Sequence, residues 1–183
     1  MILPIYVYGS SVLKKEAIPV TKDYPALQQL IADMWDTLYY AEGVGLAAPQ
    51  VGHAIRLLII DGAPFKDDDA ETGAFKRVMI NPEIIEFGEE TWSFNEGCLS
   101  IPGVREDVIR PKRVHVRYLD ENFEPHEEWL EGVSGRIMQH EYDHVEGILF
   151  TDHLAPIRRK IITGRLQNIA RGKASADYKT KIV

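Results

Sequence analysis

The chain has 183 residues, 45% hydrophobic and 27% charged, with one cysteine (Cys98) and no apolar run near the ~18 residues of a membrane span. That excludes a membrane-spanning, disulfide-stapled or disordered protein and predicts a single domain over 1–183 in a reducing compartment, the cytoplasm; MILPIYVYG also lacks the basic start of a secretory signal. The net charge of −7 is uneven: residues 156–183 hold eight basic side chains and one acid, Asp177, so +7 there stands against −14 over 1–155.

Residues 2–20 read as irregular or extended entry structure. From Pro25 to Ala41, Leu27, Leu30, Ile31, Met34, Leu38 and Ala41 recur at three- and four-residue steps, the apolar face of a helix that Gly43 and Gly45 stop. IRLLIID (55–61), RVMIN (77–81) and IIEF (84–87) read as short buried strands, and RVHVRYL (113–119) as a half-buried strand that turns at DEN (120–122) into PHEEWLEG, a hairpin. KDDDAETG (66–73) reads as a solvated acidic loop, because Thr72 occupies the position where a calcium loop needs glycine.

Two helices close the chain. In the first, Val133, Ile137, His140, Glu141, His144 and Ile148 share one broad face; the second opens at Pro156, with Ile157, Ile161, Ile162, Leu166 and Ile169 as its apolar side. The fold class is therefore α+β: antiparallel strands packed around a central helix, the one whose His140 and His144 form a metal-binding pattern, with a C-terminal helix. A basic C-terminal segment on an acidic body fits either a polyanionic partner or a solvated helix face.

The chemistry concentrates in HEYDH (140–144). On a helix, residues 140 and 144 lie one turn apart on one face, so both imidazoles reach one metal, with Glu141 close enough to handle a proton of its water. Composition alone gives about 0.02 chance matches to H-E-x-x-H in this chain. The third ligand decides the class. Phe150 stands where a metzincin has histidine, and no glutamate follows Glu146, so the missing ligand comes from elsewhere, and Cys98 in EGCLS (96–100), between candidate strands, is the candidate. Cys, His, His and an open position is a catalytic ligand count.

EGVGLAAPQVG (42–52) superficially matches the dinucleotide pattern G-x-G-x-x-A, but a helix precedes it and Pro49 blocks the helix that should follow. Its glycines instead suit a close approach of a ligand to the backbone.

GVGLAAPQ, EGCLS and QHEYDH, in that order and spacing, resemble the three signature motifs of the peptide deformylases, GxGLAAxQ, EGCLS and HExDH. The resemblance implies that Cys98, His140 and His144 hold one divalent ion, Fe²⁺ natively with Zn²⁺, Ni²⁺ or Co²⁺ also accommodated, and water as fourth ligand. It implies Glu141 as general base and then acid, with the Gln50 side chain and Leu99 backbone N–H on the formyl oxygen. The activity implied is removal of the formyl group from the formyl-methionine of new polypeptides, releasing formate. Backbone at Val44, Gly45, Leu46 and from Gly97 to Leu99 would pair with the extended substrate like an added strand. Val44, Val133 and Ile137 are candidates for the methionine pocket. Some bacterial members dock on the ribosome through a C-terminal helix, which gives the basic segment here a polyanionic partner. Two alternatives remain at this point: an ordinary metallopeptidase, disfavoured by the missing downstream ligand, and a non-catalytic metal or ribosome-binding module, disfavoured by Glu141 and Gln50.

Overall fold

The computed structural model describes residues 1–183. In chain order its elements are β1 (Ile5–Tyr6), α1 (Leu27–Tyr40), β2 (Gly45–Ala47), β3 (Leu57–Asp61), α2 (Ala70–Gly73), β4 (Lys76–Phe87), β5 (Thr91–Cys98), β6 (Ile101–Pro111), β7 (Arg113–Leu119), β8 (Pro125–Glu131), α3 (Gly132–Val145), α4 (Pro156–Ala170) and β9 (Thr180–Lys181). Five strands form an antiparallel sheet in the order β2-β3-β4-β7-β8; β5 and β6 form a separate antiparallel hairpin, and β1 pairs with β9 in parallel.

The run LLII in β3 has no alternation because both faces of the sheet are covered. Leu57 and Ile59 pack with Leu30, Ile31, Met34 and Leu38 of α1, whereas Leu58 and Ile60 pack with Ile137, Met138 and Val145 of α3. The half-buried pattern of β7 follows the same logic, with Val114, Val116 and Tyr118 turned toward α3. A third cluster joins Ile101, Val104 and Val108 of β6 to Ile162, Leu166 and Ile169 of α4. Helix α3 thus lies between the sheet and the β5–β6 hairpin, the central position expected of it.

Several local expectations are corrected. Residues 77–81 and 84–87 belong to one strand, β4, whose ladder is interrupted where Pro82 lacks an N–H and Asn81 sits at φ 50°, its side chain bonded to Val20 N–H and C=O instead. The acidic loop contains the turn of helix α2, capped by Asp69, and the Thr72 hydroxyl accepts from the Ser134 N–H in the first turn of α3. Helix α3 ends at Val145, since Gly147 takes φ 74°, so Ile148 lies beyond its face. In α4 the apolar residues split: Ile162, Leu166 and Ile169 are buried, while Ile157 and Ile161, one turn apart from each other but about 100° behind that row, are 70% and 61% exposed. Cys98 is not between strands but is the last residue of β5, paired across the turn with Ile101.

Candidate metal centre and cleft

One side of α3 opens into a cleft of about 510 Å³, walled by β2 on one side and the β5–β6 turn on the other. Each of the three sequence motifs reaches it. Cys98 Sγ lies 3.3 Å from His144 Nε2, and the ligand atoms of Cys98, His140 and His144 all lie within 4.8 Å of one another. Both histidines are buried, as the inward face of α3 requires.

His140 is held from behind. Its Nδ1 lies 2.8 Å from Glu96 Oε1, which leaves Nε2 for a ligand. Glu96 in turn accepts from Arg110 Nε and Nη2 at 2.7 and 3.0 Å and from Arg136 Nη1 at 2.7 Å; Arg110 also donates to Asp143 Oδ2 at 2.7 Å, which His153 meets from outside. Burial alone would raise the Glu96 carboxyl, but the hydrogen bonds from His140 and Arg110 overcome it and hold Glu96 well below the usual carboxylate range. Glu96 and its two arginines are the functional residues that sequence reading missed. The one available signal was the position of Glu96, two residues before Cys98 in EGCLS.

Glu141 is 4% exposed, and its Oε2 has no hydrogen-bond partner. Burial pushes its carboxyl up to about 7. Burial lowers His144 to about 3, so its imidazole is neutral and able to ligate. The glycines of GVG have their reason here: a Cβ at Gly45 would fall 2.6 Å from Glu141 Oε1, and one at Gly43 would fall 2.9 Å from Leu99 and Leu38 side chains. What approaches the glycine backbone closely is therefore Glu141 and Leu99 of the protein itself.

Gln50 is buried in the 3-10 turn Ala48–Val51, whose second residue is Pro49. Its Oε1 accepts from the Ala47 N–H at 2.9 Å, which aims Nε2 at Ser100 Oγ (3.2 Å) and Cys98 Sγ (3.6 Å). The Val44 and Leu99 N–H groups, on opposite walls, find no acceptor within the chain. β2 pairs only with β3, so its other edge is free. Val44, Gly45, Gly97 and Ile137 line the cleft; Val133, half-buried one turn before Ile137 on α3, packs in the same apolar cluster as Val44, Ile137 and Phe65, and the Leu46 side chain is fully buried toward α1. Phe65, Arg105 and the segment Ser175–Tyr178, none of them singled out from sequence, also line it.

The residues fit a metal by their chemistry: a thiol and two imidazoles converge on one point, three protein ligands leave a position open, and a buried carboxylate oxygen faces the cleft unpartnered. Such an arrangement defines a class, the metal-dependent hydrolases with a catalytic, three-ligand centre. The profile of the family described as "Polypeptide deformylase" matches residues 2–160. The chain is 53% identical to a peptide deformylase of Christiangramia forsetii, over 99% of this chain and 96% of that one. Its fold is similar to a crystal structure of a peptide deformylase from Legionella pneumophila, with TM-score 0.82 and 39% identity over 94% of this chain and 98% of the other. It is also similar to the peptide deformylase of Thermotoga maritima, with TM-score 0.77 and 41% identity over 85% and 99%. The chain belongs to the polypeptide deformylase family, whose activity is metal-dependent removal of the N-terminal formyl group from nascent polypeptides. No helix is long and apolar enough to cross a membrane.

Proposed function

We propose that Cys98, His140 and His144 hold one divalent ion, that Glu141 moves the protons, and that the chain works over 1–183 as one catalytic unit in the cytoplasm on N-formyl-methionyl nascent peptides. The observation that carries this reading is the convergence of three donor atoms within 4.8 Å beside a buried carboxylate oxygen with no partner. An ion bound there supplies Lewis acidity, acidifying water and polarising the formyl carbonyl.

The remaining work falls to the chain's own residues. Glu141 takes a proton from the attacking water as the C–O bond forms at the formyl carbon. It returns the proton to the amide nitrogen as the C–N bond breaks, since an amine leaves poorly without it; the products are formate and a free amino terminus. Charge that builds on the formyl oxygen meets Gln50 Nε2, whose amide is oriented from its other end by Ala47, and the free N–H of Leu99. Each such donor is worth about 3–4 kcal/mol in the transition state. The peptide adds as a strand between the open edge at Val44–Leu46 and the turn at Gly97–Leu99, with its methionine side chain against Val44 and Ile137 and Phe65 at the rim.

The test is product analysis. Formate release from a formyl-Met peptide, with no amino-acid release from the unformylated peptide, is the expected result; the reverse pattern makes the protein a peptidase.

Fe²⁺ is the ion we assign as native, with Zn²⁺, Ni²⁺ and Co²⁺ as substitutes; membership of the family supports this assignment, while a mixed thiolate and imidazole set accepts all four metals and does not choose among them. Iron beside a Cys98 thiolate is open to oxidation at both partners. The iron form is expected to lose activity in aerobic, peroxide-containing buffer while a nickel form survives; equal half-lives in matched buffers would contradict iron being the vulnerable form.

The basic C-terminal segment we assign to ribosome docking, the +7 of residues 156–183 being steered toward ribosomal RNA. Arg158 and Arg159 face Glu106 and Asp152 of the chain itself, so Lys160, Arg165 and Arg171 are the free helix charges. Charge reversal at Lys160 and Arg165 is expected to weaken cosedimentation with ribosomes in low salt; unchanged binding removes the docking idea.

A further inference from the structure

The turn Cys98–Leu99–Ser100 carries both a metal-ligating side chain and an unpaired backbone N–H, yet only Cys98 belongs to a strand. What holds the other two residues comes from far along the chain. The Tyr8 N–H donates to the Ser100 carbonyl at 2.8 Å, and the Tyr178 hydroxyl donates to the Leu99 carbonyl at 2.7 Å. Tyr8 follows β1 and Tyr178 precedes β9, and these two strands pair with each other, Ile5 with Thr180 and Tyr6 with Lys181. The Ile5 and Val7 N–H groups bond to the Lys179 and Lys181 carbonyls, closing a two-stranded ribbon that grips the turn from outside the cleft. After α4 the chain therefore does not trail away: Ser175, Ala176, Asp177 and Tyr178 return to line the cleft, 15 residues and more beyond the end of the family match at residue 160.

We infer that Tyr178 is a positioning residue for deformylation: its phenol hydrogen bond to the Leu99 carbonyl fixes ψ of Leu99 and, with the preceding Cys98–Leu99 peptide held from β5, keeps the turn that presents the Leu99 N–H to the oxygen of the formyl group. The inference rests on the proposed role of that N–H. With Cys98 anchored on β5 and the Leu99 carbonyl anchored by Tyr178, both dihedrals of Leu99 are constrained, and the Leu99 side chain is wedged against Gly43 on the facing wall. Without the phenol hydroxyl only the Tyr8 bond to Ser100 still holds the outer side of the turn, ψ of Leu99 is less restrained, and the loosened turn presents the Leu99 N–H to the oxygen only part of the time. Alignment matters most when charge has built on that oxygen, so the loss appears in kcat rather than in KM.

Tyr178→Phe keeps the ring and removes the hydrogen bond alone. With formyl-Met-Ala-Ser as substrate and the metal content of each preparation measured, kcat is expected to fall about fivefold, the scale of one neutral hydrogen bond, with KM within twofold. Amide hydrogen exchange over residues 96–101 is expected to rise by a similar factor. An unchanged kcat, a fall that merely tracks lost metal, or unchanged exchange each overturns the inference. Glu141→Gln in the same assay separates this from the reading of the site: if that variant stays active, it is the site reading that fails, whatever Tyr178→Phe does.

Discussion

Toward the five-stranded sheet, α3 presents Ile137, Met138 and Val145 to aliphatic residues of β2, β3 and β7. Toward the β5–β6 hairpin, the same helix presents Arg136, His140 and Asp143 to Glu96 and Arg110. The first contact is held by dispersion and the removal of apolar surface from water, which tolerates some sliding. The second is a network of short charge-assisted hydrogen bonds that is costly to bury but specifies one ring orientation for His140. The comparison teaches a division of labour: the apolar face makes α3 stable, and the ionic face aims the side chains proposed as its ligands.

Breaking the ionic face should therefore do two things at once. Glu96→Ala leaves Arg110 and Arg136 buried beside a lost partner, and a stability loss of about 3–5 kcal/mol is expected, together with a 10- to 100-fold weaker metal affinity. Thermal melting and a metal titration check both. Breaking the apolar face should do only one. Met138→Ala, at a site with no exposure, is expected to cost about 2–5 kcal/mol while metal affinity stays within twofold. If Met138→Ala also weakened the metal comparably, the two faces would not be separable.

A smaller effect sharpens the same contrast through pH. Burial raises the Glu141 carboxyl to about 7, and only the ionised form can take a proton from water. A neighbouring cation draws that value down again, so kcat/KM is expected to be level near neutrality and to fall about tenfold per pH unit on an acid limb lying below 7. A rate that rises on acidification would exclude a carboxylate base.

The sheet side of this architecture was legible in the sequence because it obeys simple periodicities. The i, i+3, i+4 face of α1, the continuous LLII of β3 and the alternation of β7 all report apolar burial. The β5–β6 hairpin was not legible as strands, and the reason is chemical. Its inward positions include Glu96, Glu106 and Arg110, so charged residues occupy places where the pattern demands apolar ones. The two histidines of the candidate metal site were legible because H-E-x-x-H encodes its geometry in local spacing, whereas Cys98 needed the argument from an unfilled coordination site. Tyr178 carries no local signal at all: it reaches Leu99 only because β9 pairs with β1 across nearly the whole chain.

The central claim is that Glu141 is the proton carrier and not a ligand, while Cys98, His140 and His144 bind the ion. Glu141→Gln tests it most directly, with metal content and formate release from a formyl-Met peptide measured on one preparation. The account predicts one equivalent of bound metal, as in the unaltered protein, and a rate lower by about 10²–10⁴-fold. A variant that keeps its metal and works within tenfold of the full rate would contradict it.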